Sequence, residues 1–203
     1  MIKNVVFDNG GVIVKYSAES YLDVFKFDKS KQKQLDTLFV SNEWVSFAKG
    51  EITSEQFKQF ALNKFPQYSS DVEKILDVEN LKFMIPIYAK TLEFIFDLKK
   101  AGYKIYLLSD INEDTITYLN SAVLNFEEAF DGIVYSCRVG MVKKEGKVFD
   151  YLLNEFNLDA SETLFLDDSV TNLTKARERN IVTYRFLDPD IDIDKIKKLY
   201  LDF

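Results

Sequence analysis

The 203-residue chain contains no histidine. That excludes Ser-His-Asp triads, histidine acid–base catalysis and His-ligated zinc, and leaves carboxylates, hydroxyls and lysines to carry any chemistry. Cysteine occurs once, at Cys137, so no internal disulfide can form. No basic segment followed by an apolar stretch opens the chain, which with the single cysteine predicts a reducing, cytoplasmic setting. No apolar run reaches the roughly 18 residues that a spanning helix needs, so no membrane segment is expected. Positive charge is in the minority, with 26 Lys and Arg against 33 Asp and Glu, and no long basic tract occurs. A nucleic-acid or anionic-lipid surface rests on dense positive charge and is not expected either. Two nucleotide fingerprints are also missing. Asp8-Asn9-Gly10-Gly11-Val12-Ile13 does not spell G-x-G-x-x-G, and Gly146-Lys147-Val148 lacks the Ser/Thr and upstream glycine of a P-loop.

What the chain has in quantity is apolar and aromatic material: 47% hydrophobic residues, among them 18 Phe and 11 Tyr. This is enough for a full core, in one domain or in a core carrying a smaller insertion. Short apolar or β-branched runs predict strands at Lys3 to Phe7, Lys104 to Leu108, Gly132 to Tyr135, Thr163 to Leu166 and Ile181 to Tyr184. Helical periodicity lies between them, at Thr91 to Leu98, Val148 to Phe156 and Asn172 to Arg179, and a last helix follows Asp188-Pro189. Alternating strand and helix predicts an α/β fold, a three-layer, Rossmann-like, doubly wound parallel sheet. Between Lys15 and Pro86 no strand pattern occurs. Helices are predicted instead over Ser20 to Phe27, Lys31 to Phe39, Ser54 to Phe65 and Ser70 to Leu76, the third opened by a Thr53/Gln56 capping box. The expected organisation is a core of residues 1–14 and 87–203 with a small all-helical cap, 15–86, inserted in it.

In an open parallel sheet, ligands bind beyond the carboxyl ends of the strands. Asp8, Ser109 and the pair Asp167-Asp168 each stand at or just after the end of a predicted strand, so the topology would gather them on one rim. Alone, each has a plainer reading: Asp8 as a turn residue, Asp167-Asp168 or Ser109-Asp110 as helix caps, Lys143 as a solvated charge. Together they suit phosphoryl transfer. A carboxylate nucleophile repels a phosphate dianion, and a divalent cation held by further carboxylates plus a lysine ammonium offset that repulsion. Asp8 could attack phosphorus, Asp8 with Asp168 could hold Mg²⁺, and Ser109 could donate to a phosphoryl oxygen.

These residues resemble the haloacid dehalogenase-like hydrolases, in the subgroup with a helical cap after the first motif. The first motif corresponds to Val5-Val6-Phe7-Asp8-Asn9-Gly10-Gly11-Val12 and the second to Leu108-Ser109-Asp110-Ile111-Asn112. The third corresponds to Lys143, with Lys144 a competitor, and the fourth to Leu166-Asp167-Asp168-Ser169-Val170-Thr171-Asn172. Trp44 to Phe57 looks like the cap segment of sugar-phosphatase-like members. The resemblance implies a phosphatase working through a phospho-Asp8 intermediate, with Mg²⁺ on Asp8, the Gly10 carbonyl and Asp168, supported by Asp167 and Asn172. It implies phosphate binding by Asn9, Gly10, Ser109, Asp110 and Lys143, and a small phosphorylated metabolite, most plausibly a sugar phosphate, as substrate. Glu43, Trp44, Glu51 and Tyr16 are candidates for contacting the leaving group.

One position departs from the pattern. Most phosphatases of the family carry an acid–base Asp two residues after the nucleophile, where this chain has Gly10. The alternative to an active enzyme is therefore a phosphate- and metal-binding regulatory protein with weak or no turnover. Aromatic abundance does not separate core from interface, so the sequence leaves the oligomeric state open.

Overall fold

The computed structural model describes residues 1–16 and 21–202. Its centre is a five-stranded, all-parallel sheet of β1 (Asn4–Phe7), β2 (Lys104–Ser109), β3 (Gly132–Tyr135), β4 (Thr163–Asp167) and β5 (Val182–Arg185), in the order β3-β2-β1-β4-β5. The predicted strands are all present, with ends displaced by at most a residue. Alternation explains how each strand serves two cores. Val5, Phe7, Ile105, Leu107, Leu164 and Leu166 enter one apolar cluster, while Val6, Tyr106, Leu108 and Phe165 enter a second on the opposite face.

Between β1 and β2 run α1 (Lys29–Asp36), α2 (Asn42–Ala48), α3 (Ser54–Lys64), α4 (Ser69–Ile75), the one-turn α5 (Leu81–Met84) and α6 (Ala89–Lys100). Then come α7 (Glu113–Ala122), α8 (Ser136–Val139), α9 (Lys147–Glu155), α10 (Val170–Arg177) and α11 (Pro189–Tyr200). Phe94, Ile95 and Leu98 of α6, Ile116 and Leu119 of α7 and Ile196 of α11 cover the first face. Val148, Phe149 and Leu152 of α9 with Leu173 and Ala176 of α10 cover the second. None of the helices is long and apolar enough to cross a membrane, among the described residues.

The expected helix Ser20 to Phe27 is not formed. Its first residue lies outside the described residues, and the rest contains only a three-residue 3-10 turn, Asp23–Phe25. Lys26 ends that turn with φ +52°, a left-handed conformation that stops a right-handed helix. The capping box at α3 is present. Thr53 Oγ1 accepts from Gln56 N at 3.2 Å, and Gln56 Oε1 accepts from Thr53 N at 2.8 Å. Thr53→Ala removes one of these reciprocal bonds and is expected to lower stability by about 1 kcal/mol, read as a fall in urea midpoint at constant m-value.

The chain leaves and re-enters the sheet region at one place. Lys15 N donates to Pro86 O and Tyr88 N donates to Ile13 O, both at 2.8 Å, beside an antiparallel bridge between Val14 and Ile87. The helices α1 to α5 thus hang from two adjacent strands of chain. Their docking onto the core depends on close approach: a Cβ at Gly50, φ +71°, would lie 2.2 Å from the Cys137 carbonyl oxygen. The buried Ser136 hydroxyl there donates to Ala48 O at 2.5 Å and accepts from Ile111 N at 2.8 Å, tying the end of α2 to the core.

Candidate active site

Pairing of Phe7 with Leu107 on one side and Leu166 on the other sets the ends of β1, β2 and β4 level. The residues that follow therefore emerge together. Asp8 N donates to Leu166 O at 2.9 Å, extending the ladder by one bond and pinning the Asp8 side chain at the rim. Gly10-Gly11 then lets the chain turn back: Ile13 N and Val14 N both donate to Asn9 O, at 2.8 and 2.9 Å, and Gly11 takes φ +74°.

Lys143 joins this rim from the 3-10 turn Lys143–Glu145. Its ammonium lies 2.5 Å from Asp8 Oδ1 and 2.8 Å from Asp167 Oδ2, with only 2% of the residue exposed. Lys144 is exposed, and of the two lysines it is Lys143 whose ammonium meets Asp8 and Asp167. Asp110 fixes the position of Lys143 by accepting from its backbone N–H at 3.0 Å. Asp167, fully buried, also accepts from Ser169 N at 2.7 Å and Asn172 Nδ2 at 3.1 Å. Asn172 thus touches Asp167 directly, and Asp167 uses its oxygens to orient its neighbours.

Carboxylate oxygens of Asp8, Asp167 and Asp168 come within 4.8 Å of one another. Three carboxylates face one ammonium there, so the cluster carries surplus negative charge and presents oxygen donors only, the donor set of a hard divalent cation. Burial pushes the Asp8 carboxyl well above the ordinary range; Lys143 opposes this, and Asp167 and Asp168 add to it. Asp168 is raised by the same desolvation and by Asp167. For Lys143 burial works against the charge, but Asp167, Asp8 and Asp110 outweigh it and the ammonium is held firmly protonated. Among the described residues no backbone N–H donates to the Gly10 carbonyl.

These groups open onto a cavity of about 520 Å³. Asp8, Asn9, Gly10, Asp110, Lys143, Asp168 and Asn172 line it, and Asn9 donates its backbone N–H to Asp8 Oδ1 at 2.6 Å. Ser109 ends β2 at the same rim but is buried, and the next residue, Asp110, holds the place on the cavity wall. Of the leaving-group candidates, Trp44 and Tyr16 line the cavity and Glu43 and Glu51 do not; Glu51 is exposed and takes a hydrogen bond from Ser46. Tyr21, Ile85, Ile111 and Thr115 line it without having been singled out. Tyr21 and Ile85 come from the helical insert, and no local pattern marks them. Thr115 had a signal, the Asn112 cap of α7, whose side chain accepts from Thr115 N at 2.9 Å.

The model of the haloacid dehalogenase-like hydrolase family matches residues 2–178, which include every one of these groups. The chain belongs to the haloacid dehalogenase-like hydrolases. It is 26% identical to a protein of Bacteroides thetaiotaomicron named D-ribitol-5-phosphate phosphatase, over 91% of this chain and 92% of that one. It is 23% identical to an Aspergillus oryzae protein named sesquiterpene phosphatase, over 92% and 90%. Among solved structures, a magnesium complex of a haloacid dehalogenase family enzyme from B. thetaiotaomicron superposes with a TM-score of 0.72 at 26% identity, covering 90% of this chain and 92% of that one. The fold of the family is thus the fold seen here.

Proposed function

We propose that this hydrolase is a Mg²⁺-dependent phosphatase that removes phosphate from a small phosphorylated metabolite by way of a phospho-Asp8 intermediate. The observation that carries this reading is the placement of Asp8 at 2.5 Å from a buried lysine and beside two further carboxylates, on the floor of a cavity. Mg²⁺ fits the oxygen-only, over-negative donor set of Asp8, Asp168 and the Gly10 carbonyl, and when bound it supplies charge neutralisation for the phosphoryl group. Asp8 is the nucleophile. Lys143 orients it and balances charge on phosphate oxygens, the backbone N–H groups of Gly10 and Asp110 donate to those oxygens, Asn9 gives its N–H to Asp8 Oδ1 while the buried Ser109 ends the strand behind Asp110, and Asp167 with Asn172 holds the lysine and the metal side in register. Residues 15–86 act as the cap that closes the cavity.

Gly10 leaves the usual acid's place empty, and the neighbouring space is taken. A Cβ there would meet Tyr16 Cδ1 at 3.3 Å, so an acid at this position requires the Tyr16 ring to yield. A sugar phosphate is the substrate class that the motifs imply, and the relative named for ribitol 5-phosphate supports a polyol; the relative named for a sesquiterpene widens the field.

A phosphate-release panel tests the reading: activity is expected with Mg²⁺ and lost with chelator, and the absence of release from every phosphomonoester and acyl phosphate would overturn it in favour of a silent binding protein. Gly11 supplies a sharper probe of the metal. A Cβ at Gly11 would stand 2.7 Å from Asp168 Oδ2, and alanine at φ +74° is strained by about 1 kcal/mol. Gly11→Ala is expected to raise the Mg²⁺ concentration for half-maximal activity by about tenfold, measured by metal titration.

A further inference from the structure

The cavity lining is of two kinds. Residues at the sheet edge bring the charges that suit a phosphate, and Tyr21 and Trp44 of the helical insert, with Ile85 and Ile111, bring apolar surface. Trp44 is fixed from behind. Its ring meets Phe39 edge-on at 5.1 Å and Phe47 at 5.9 Å and lies tilted on Phe57 at 5.4 Å, and Phe39 in turn braces Tyr21 at 4.7 Å. Rings held in this way present a preformed apolar face, which binds without the entropy cost of ordering loose side chains.

The apolar lining also continues outward. A narrow crevice of about 30 Å³ shares Tyr21, Trp44, Asn112 and Thr115 with the cavity and is lined further along by Ile75, Val78 and Leu81. The polar atoms that belong to the two rings themselves, the Tyr21 hydroxyl and the Trp44 indole N–H, sit at ring edges, and the ring faces carry none. Asn112 Oδ1 accepts from Thr115 N and Oγ1 at 2.9 and 3.0 Å. At the crevice, Asp77 caps the turn at Glu79, and Asp114 takes a hydrogen bond from Ser54. A linear polyol laid flat on the ring faces would turn most of its hydroxyls against carbon, with partners only at the ring edges, whereas an aliphatic or aryl group would bury only apolar surface.

We infer that the alcohol part of the substrate is recognised through an extended apolar face laid on Tyr21 and Trp44, with its far end in the crevice, so that the preferred substrates are phosphomonoesters of aliphatic or aryl alcohols. This rests on the phosphatase reading and narrows its substrate class. A pyranose ring, which offers a face of C–H groups, stands between this class and the linear polyols.

The test uses the Mg²⁺-loaded protein with ethyl, butyl and hexyl phosphate, primary alkyl esters of similar leaving-group strength, against ribitol 5-phosphate and glucose 1-phosphate. Acetyl phosphate reports on the chemistry alone. The expected result is a rise in kcat/KM of about tenfold or more from ethyl to hexyl, with hexyl above ribitol by a similar factor. Trp44→Ala flattens the series while lowering acetyl phosphate turnover much less, and Val78→Trp, which narrows the crevice, lowers hexyl relative to ethyl. Calorimetric binding of hexylphosphonate against methylphosphonate gives a second reading that needs no turnover, with hexylphosphonate expected to bind about tenfold tighter. A flat alkyl series with equal phosphonate affinities, or a preference for ribitol 5-phosphate, overturns the inference and leaves the phosphatase reading standing. Loss of all turnover with the phosphonate preference intact overturns the phosphatase reading alone.

Discussion

Asp8→Asn is expected to abolish phosphate release, by about 10⁴-fold or more, while leaving the metal-free protein at least as stable as before. The first half follows from the role. An amide oxygen is a poor nucleophile toward phosphorus, and neither Asp167 nor Asp168 can take over: the first is fully buried and bonded to Lys143, Ser169 and Asn172, and the second is the carboxylate that the proposed cation would take up. The second half follows from charge. Asp8 is one of three carboxylates sharing a single ammonium, and burial already pushes its carboxyl well above the ordinary range. Asparagine keeps the shape, leaves Lys143 paired with Asp167 at 2.8 Å and removes a desolvated charge from an over-negative cluster. Thermal melts of both proteins with and without Mg²⁺ check this: the variant should melt no lower than wild type without metal and should gain less from adding it. A lower melting temperature in the absence of metal would mean that Asp8 is held there by the fold and not by function.

Lys143→Met is expected to have the opposite stability effect. Activity falls because the phosphate and the nucleophile lose their shared counter-charge. The fold suffers as well, since the buried Asp8 and Asp167 carboxylates then face each other and Asp168 with no cation between them. Breaking a buried pair in this way costs about 3 to 5 kcal/mol. The deficit should shrink as pH falls. A carboxyl whose folded-state pKa is raised takes up its proton in the folded protein first, so protonation favours the folded state at low pH and that gain is lost as pH rises through the raised pKa. Denaturant titrations at about pH 5 and about pH 8 should show the variant closer to wild type at the lower pH. Added Mg²⁺ should narrow the gap at the higher pH; equal deficits at both pH values would remove the electrostatic account.

Much of this was legible in the chain, and the reasons it was are physical. A parallel sheet buries both faces of its strands, so β1, β2 and β4 had to be short apolar runs, and the polar residue ending each run had to stand at the sheet edge. That logic puts Asp8, Ser109 and Asp167-Asp168 at one end of the sheet, where the strand ends stand level. It did not separate Lys143 from Lys144, because a three-residue 3-10 turn has no periodicity from which to read a buried face. Nor did it find Tyr21 or Ile85, whose position over the cavity depends on how the insert docks through Gly50 and Ser136. Trp44, a candidate contact in the sequence, packs against its aromatic neighbours and lines the cavity at once. The stretch from Tyr21 to Phe27 was the least legible, since its aromatic spacing imitates a helix where the chain forms only the turn at Asp23–Phe25.

On the proposed function, phosphate passes through Asp8. Acid quenching of the Mg²⁺-loaded protein during turnover of acetyl phosphate, followed by mass spectrometry of its peptides, measures this directly. A phosphoryl increment on the peptide that contains Asp8, absent in Asp8→Asn and removed by hydroxylamine as an acyl phosphate would be, is the predicted result. Sustained phosphate release with no such increment, or with equal release by Asp8→Asn, would contradict it.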